Sequence, residues 1–336
     1  MYCSIDYSNR NRPKPIKCKL GNSIPELNRR VKTTKLIVRM AHLFSVSKKN
    51  FRPERKAIVL EILFPSRHIA PMSEYVLSLT TIPSRAKYLG QFLSSIGRQT
   101  LQPARIELNL PVEYKRRNLG VIDRSQIPSD FTVFNCEDFG PATKILPTLK
   151  RHKDENTQII YCDDDRIFDR NWALRLTNIA LQHPKSAIAD ECNAISAIDY
   201  RYENPSRNWQ YRLKRAASFG LYDPYKSSRK TEWDIVEGFG GVLVRPAFFS
   251  AQVFDIPTDI WAVDDIWLSA NLAANHSDIL WTQRTSRERS RSLRVSGKNL
   301  GRLSDALFLS TFDGLDRAKA DYQSVRKCQE MFGIWK

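Results

Sequence analysis

The apolar run Gln158-Ile159-Ile160-Tyr161-Cys162 stops abruptly in three consecutive carboxylates, Asp163-Asp164-Asp165. Its β-branched and aromatic content predicts a buried strand over residues 157–162. A strand ending in three acids places dense negative charge at the carboxyl edge of a sheet, where open α/β folds bind their ligands. Adjacent carboxylates repel one another, so the cluster needs a cation or a strong donor network to neutralise it. Oxygen-only ligands favour Mg²⁺ or Mn²⁺, ions that also suit the phosphates of a nucleotide. The competing reading is an acidic turn that leads into the next helix, with Asp169 as a further cap.

The surrounding pattern fits such a sheet. Tyr75 to Thr80 reads as a strand, followed by the turn Thr81-Ile82-Pro83-Ser84-Arg85 and a helix from about Tyr88 to Gln99. Further strands are expected at Ile106 to Leu110 and Phe131 to Asn135, then a helix over 142–150, the strand at 157–162 and a helix over 171–182. Strands alternating with helices imply an α/β fold with a mostly parallel sheet. The second half is less regular. It offers a short strand at Ala187 to Ala189, the glycine-rich loop Glu237-Gly238-Phe239-Gly240-Gly241 leading into a strand, and a helix Ile266 to Asn275 opened by Asp264-Asp265. Residues 284–302 are rich in Arg and Ser and are expected to be irregular.

Charge is distributed unevenly along the 336 residues. Of the formal +17, residues 1–70 carry +12 (16 Lys/Arg against 4 Asp/Glu) and the remainder +5. The excess lies in an N-terminal arm able to meet an anionic membrane surface or to remain solvated. No nucleic-acid module accompanies it, which places nucleic acid third. The six cysteines are scattered without a short-spaced pair, arguing against zinc and a disulfide framework; Cys162 is expected as a buried, reduced thiol. No apolar stretch approaches the roughly 20 residues needed to cross a bilayer. The expected location is cytoplasmic, with the arm able to hold the protein at the inner face of a membrane.

Two acidic sites far apart in sequence turn this fold into chemistry. A metal–phosphate site plus a separate carboxylate suits a displacement that needs a stabilised diphosphate leaving group and a base. Helix capping alone also explains one acid of Asp264-Asp265. In the segments YVLSLTTIPSR, EDFGPATKILPTL, YCDDD, EGFGGVLVRP and VDDIWLSANLA the chain resembles the GT-A glycosyltransferases, near the inverting family 2 group. The resemblance spans residues 74–282. It implies a GT-A (Rossmann-like) mixed, mostly parallel sheet flanked by helices, here with a basic N-terminal extension. The implied division is 1–71 arm, 72–283 catalytic domain (72–170 nucleotide-sugar half, 171–283 acceptor half) and 284–336 basic lid with a helical tail.

By that resemblance Asp165 and Asp163 hold Mn²⁺ or Mg²⁺, with Asp163 placed at the ribose or a metal-bound water and Asp164 assisting. Thr81, Arg85 and Lys144 face the nucleotide-sugar donor, a UDP- or GDP-sugar. Asp265 is the general base for an acceptor hydroxyl, with Asp264 orienting it. Glu237, Gly238, Phe239 and Gly240 line the acceptor cleft, for a saccharide or lipid-linked saccharide. Trp233 and Trp261 are candidate sugar platforms, while the helical setting of Trp267 predicts core packing. His276, at a helix end, lacks supporting ligands for a metal. The implied activity is a hexosyltransferase-like transfer with inversion, in surface glycan or polysaccharide synthesis. Two rivals stand beside it: a nucleotidyltransferase acting on sugar phosphates, which would usually carry a glycine-rich phosphate loop where TTIPSR stands, and a basic membrane- or nucleic-acid-binding protein with a degenerate transferase domain.

Overall fold

A computed structural model describes residues 74–115, 119–203, 213–214, 216–218, 233–300 and 316–336. The chain divides into two compact units, Met1–Ile69 and Ala70–Lys336, and every described residue belongs to the second. The basic arm, Cys3, Cys18, Arg302 and most of 204–232 lie outside the described residues.

In chain order the strands are β1 (Tyr75–Thr80), β2 (Arg105–Pro111), β3 (Thr132–Cys136), β4 (Gln158–Tyr161), β5 (Arg166–Ile167), β6 (Ala187–Ala189), β7 (Cys192–Asn193), β8 (Ile235–Val236), β9 (Val242–Val244), β10 (Ile279–Trp281), β11 (Arg291–Ser292), β12 (Arg294–Val295) and β13 (Lys298–Asn299). The helices are α1 (Leu89–Ile96), α2 (Leu146–Arg151), α3 (Trp172–Gln182), α4 (Ile195–Glu203), α5 (Asp264–Ala274) and α6 (Arg317–Phe332). Seven strands form one sheet in the order β10-β6-β9-β4-β1-β2-β3. Neighbours are parallel except at β9, which runs antiparallel to both β4 and β6. The architecture is the mixed, mostly parallel sheet flanked by helices that the sequence implies.

Side-chain alternation explains why both faces are covered. On β4, Ile160 joins a core with Leu77, Leu79, Phe92 of α1 and Trp172 of α3. Its neighbours Ile159 and Tyr161 point the other way, into a core with Leu146 and Leu149 of α2 and Leu268 and Leu272 of α5. A third cluster joins Trp267 and Ile266 of α5 to Ile198 of α4 and to Val325 and Cys328 of α6. Trp267 is fully buried, as its helical setting predicts, and its indole N–H donates to the Val253 carbonyl at 2.8 Å.

Three expectations are corrected. The single helix over 142–150 is broken into a 3₁₀ turn, Gly140–Lys144, and α2. Pro147 sits in the first turn of α2, where its missing N–H is tolerated but could not have served a continuous helix. Asp169 does not cap α3 with its own position; Asn171 is the capping residue, and Asp169 Oδ1 accepts from the Asn171 N–H at 2.9 Å. The Arg/Ser-rich segment is partly ordered: β11 pairs antiparallel with β5, β12 pairs with β13, and Leu293 and Leu300 are buried in the first core.

Candidate functional site

Parallel pairing of β1 with β4 sets Ser78 opposite Tyr161, so the segments following both strands emerge together at one sheet edge. There Thr81 Oγ1 donates to Asp164 Oδ2 at 2.6 Å. Arg85 donates to Asp164 Oδ1 at 3.0 Å and to Asp165 Oδ2 at 3.4 Å. Thr81 and Arg85, two of the residues expected to face the nucleotide-sugar donor, therefore also engage the acid cluster, with Arg85 offsetting part of its charge, and both line a cavity of about 470 Å³.

The second acid site borders the same cavity. Asp264 and Asp265 open α5, where the first-turn N–H groups favour negative charge. Asp264 is buried, whereas the Asp265 side chain keeps 20% exposure. Asp265 Oδ1 accepts from the Gly238 N–H at 3.0 Å.

Lys144 joins the two sites. Its ammonium lies 2.8 Å from Asp163, 3.0 Å from Asp264 and 3.6 Å from Asp265, with the side chain only 5% exposed. Burial alone would lower its pKa, but the three carboxylates hold it well above the ordinary lysine range. The close approach depends on Gly238, because a Cβ there would fall 2.4 Å from Lys144 Nζ and 3.2 Å from Asp265 Oδ1. Lys144, expected to face the nucleotide-sugar donor, lines the cavity as a buried bridge between the acid clusters.

One ammonium does not satisfy this many acids. Burial, helped by Asp164 and Asp163, pushes Asp165 up to about 7 against the pull of Arg85 and Arg166. Burial also pushes Asp265 up to about 7, with Lys144 opposing and Asp264 and Asp163 reinforcing. Burial raises Asp163 too, yet Lys144 outweighs it and leaves that carboxyl below its usual range.

Among the described residues no group of three or more His, Cys, Asp or Glu side chains converges as a metal cage. The donor set nevertheless fits a hard cation that completes its shell with substrate. Mg²⁺ is commonly held by one or two carboxylates plus phosphate oxygens, and Asp165 is a buried acid short of positive charge. His276 is exposed at the end of α5.

The glycine-rich loop divides in two. Glu237 and Phe239 border the cavity, and burial raises the Glu237 carboxyl. Gly238 instead makes room for Lys144, and Gly240 for Glu191, whose Cγ would lie 2.5 Å from a Cβ at that position. Trp261 also borders the cavity. Its ring covers Gly140, where φ is +63° and a Cβ would stand 2.8 Å from the indole. Trp233 packs against Trp281 at 5.4 Å. Arg284 and Arg289, expected to belong to a lid, both contact Glu191.

Several wall residues carry no sequence signal of their own. Asp138 accepts from the Lys115 and Gly140 N–H groups. The Tyr114 hydroxyl donates to the Thr81 carbonyl at 2.9 Å. Arg166, not itself on the cavity wall, lies 4.8 Å over the ring of Phe239, which is. Only the i, i+4 spacing of Arg317 and Asp321 on one helix face was open to sequence reading.

No family model and no curated protein matches this chain. Among solved structures, S. aureus TarS aligns at 12% identity and a TM-score of 0.38, covering 66% of this chain and 37% of that one. A structure of S. aureus TarS 1-349 in complex with UDP aligns at 14% identity and a TM-score of 0.37, covering 63% and 59%. This chain thus spans less than two thirds of either structure. At these scores the likeness assigns neither family nor activity.

Proposed function

We propose that the protein is a metal-dependent, inverting glycosyltransferase that moves a sugar from a nucleotide-sugar donor to a hydroxyl. The observation that carries this reading is the convergence of both acid clusters on one cavity, bridged by Lys144. Asp163 and Asp165 would hold Mn²⁺ or Mg²⁺, which would supply charge neutralisation for a departing nucleoside diphosphate. Thr81 and Arg85 fix Asp164 and the rim beside it, and so position the donor half of the site. Asp265 takes the proton from the acceptor hydroxyl as that oxygen bonds to the anomeric carbon and the bond to the diphosphate breaks. Attack from the face opposite the leaving group inverts the configuration. Asp265 suits this task better than Asp264 because it is the more exposed of the two and is poised near neutrality. A UDP- or GDP-sugar as donor and a saccharide or lipid-linked saccharide of a surface glycan as acceptor complete the reading. The basic arm would bring the enzyme to an anionic membrane; among the described residues no helix is long and apolar enough to cross one.

The test is donor hydrolysis. The full chain, with Mn²⁺ or Mg²⁺, is offered a panel of UDP- and GDP-sugars, and free nucleoside diphosphate is measured beside Asp165→Asn. Metal-dependent release from one donor, lost in the variant, is expected. Silence across the panel together with failure of UDP and GDP to bind in the presence of metal would overturn the reading.

A further inference from the structure

The cavity has a second charged wall that the proposed transfer step leaves unused. Helix α6 packs on α4 and α5 through Val325, Cys328, Ile198 and Trp267. That apolar seam brings Arg317 and Asp321 to the cavity, beside Arg201 of α4 and Glu237. Arg317 Nε forms an ion pair with Asp321 Oδ1 at 2.7 Å.

This wall mixes both signs of charge: Arg317, Asp321, Arg201 and Glu237 all line the cavity. Arg317 feels the fields of Asp321, Asp265 and Asp264. Arg201 in turn acts on both Asp321 and Glu237. None of the four belongs to the apolar cluster through which α6 packs. Burying such groups without a polar partner is costly, and burial raises the carboxyls of both Asp321 and Glu237.

We infer that this wall is the acceptor subsite and that it recognises a neutral, hydroxyl-rich glycosyl group. A sugar hydroxyl both donates and accepts, so carboxylates and guanidinium groups on one wall can satisfy it in both senses. Two guanidinium groups against two carboxylates leave no net charge to attract an anion. Trp261, also on the cavity wall, offers an apolar ring face for the sugar's C–H surface. Arg317 and Asp265 line the same cavity, so a hydroxyl bound at this wall shares that cavity with the base. The C-terminal helix is then part of the binding site rather than a tail. This inference rests on the transferase reading.

Saturation-transfer NMR on the full chain tests it, with methyl hexosides and methyl N-acetylhexosaminides as neutral probes, glucose 6-phosphate and methyl glucuronide as anionic ones, and UDP with Mg²⁺ as donor-side control. At least one neutral glycoside should bind wild type. Asp321→Asn and Arg317→Gln should weaken it by about ten-fold or more, as expected for loss of one charge-assisted hydrogen bond. UDP affinity should be unchanged. Arg201→Gln alters an exposed residue, so its loss of glycoside affinity reports binding rather than folding. Glycoside binding that survives all three substitutions, tighter binding of the anionic probes, or no glycoside binding to wild type would each overturn the subsite. Failure of UDP to bind wild type would instead strike the transferase reading, and the glycoside result would stand apart from it.

Discussion

Glu107 is a fully buried acid and Asp265 a mostly buried one on the same unit, and their surroundings differ in kind. Glu107, on β2, accepts from Arg105 at 2.6 and 2.9 Å and from Arg151, and His152 Nε2 lies 3.0 Å away. Burial pushes its carboxyl up, but Arg151, His152 and Arg105 together hold it below the ordinary range. Asp265 has one backbone N–H and a share in one ammonium that two other acids also claim. It stays near 7. An acid with surplus cations is fixed as an anion and serves the fold, whereas one short of them is ready to exchange a proton.

The largest effect should come from Asp265→Asn. Loss of a general base should lower kcat by roughly 10²- to 10⁴-fold. Stability should move the opposite way. With the folded pKa at about 7 and an unfolded value near 3.9, the folded state keeps a proton that the unfolded state has lost. This acid's contribution to stability therefore declines as pH rises from about 4 to about 7 and stays low above that. Asparagine cannot ionise, so the variant should melt higher than wild type at pH 8 and close to it at pH 4. Melting curves across that range decide the matter. A variant less stable than wild type at pH 8 would place Asp265 with Glu107 as a structural acid.

Lys144→Met comes next. Removing the cation shared by Asp163, Asp264 and Asp265 should cost about 5 kcal/mol near neutral pH. The deficit should shrink at pH 5, where carboxylates freed from the ammonium can take up protons. Glu107→Gln should cost about 3 kcal/mol by removing the buried carboxylate that Arg151 and the more exposed Arg105 both contact. Its pH dependence has the opposite sign to that of Asp265. A lowered folded pKa gives stability that is present above the unfolded value of about 4.3 and is lost as pH falls through the folded one. The gap between wild type and variant should thus be full at pH 7 and close in acid. Turnover per folded molecule should be unchanged in Glu107→Gln, and a kcat loss there would erase the contrast.

The same contrast shows what was legible in the sequence. Both acid clusters could be read because their members are adjacent in the chain, so local repulsion alone demanded an explanation. The sheet was legible at β1, β4 and β6 because short apolar, β-branched runs leave few alternatives. The antiparallel insertion of β9 between β4 and β6 was not, since periodicity says which residues are buried but not which way a strand runs. Nor could the sequence show that Lys144 lies beneath Gly238 or that Arg317 approaches Asp265. Those proximities are produced by packing between residues far apart in the chain. The glycine-rich loop was read as a substrate wall, and two of its glycines turn out to make room for side chains behind that wall.

Arg105→Ala should have the smallest effect and the sharpest bearing on the comparison. The Arg105 side chain is 43% exposed while Glu107 is fully buried, so solvent already screens part of the pair. Arg151 and His152 remain on the Glu107 carboxylate after the substitution. If Glu107 truly has cations to spare, the loss should be under about 1 kcal/mol, as for a partly exposed ion pair, and smaller still in high salt. Denaturant unfolding at low and high salt measures it. A loss of several kcal/mol would mean that Arg105 is needed beside Arg151 and His152 to keep Glu107 ionised. Glu107 and Asp265 would then differ in their number of partners but not in how closely those partners match the charge they hold.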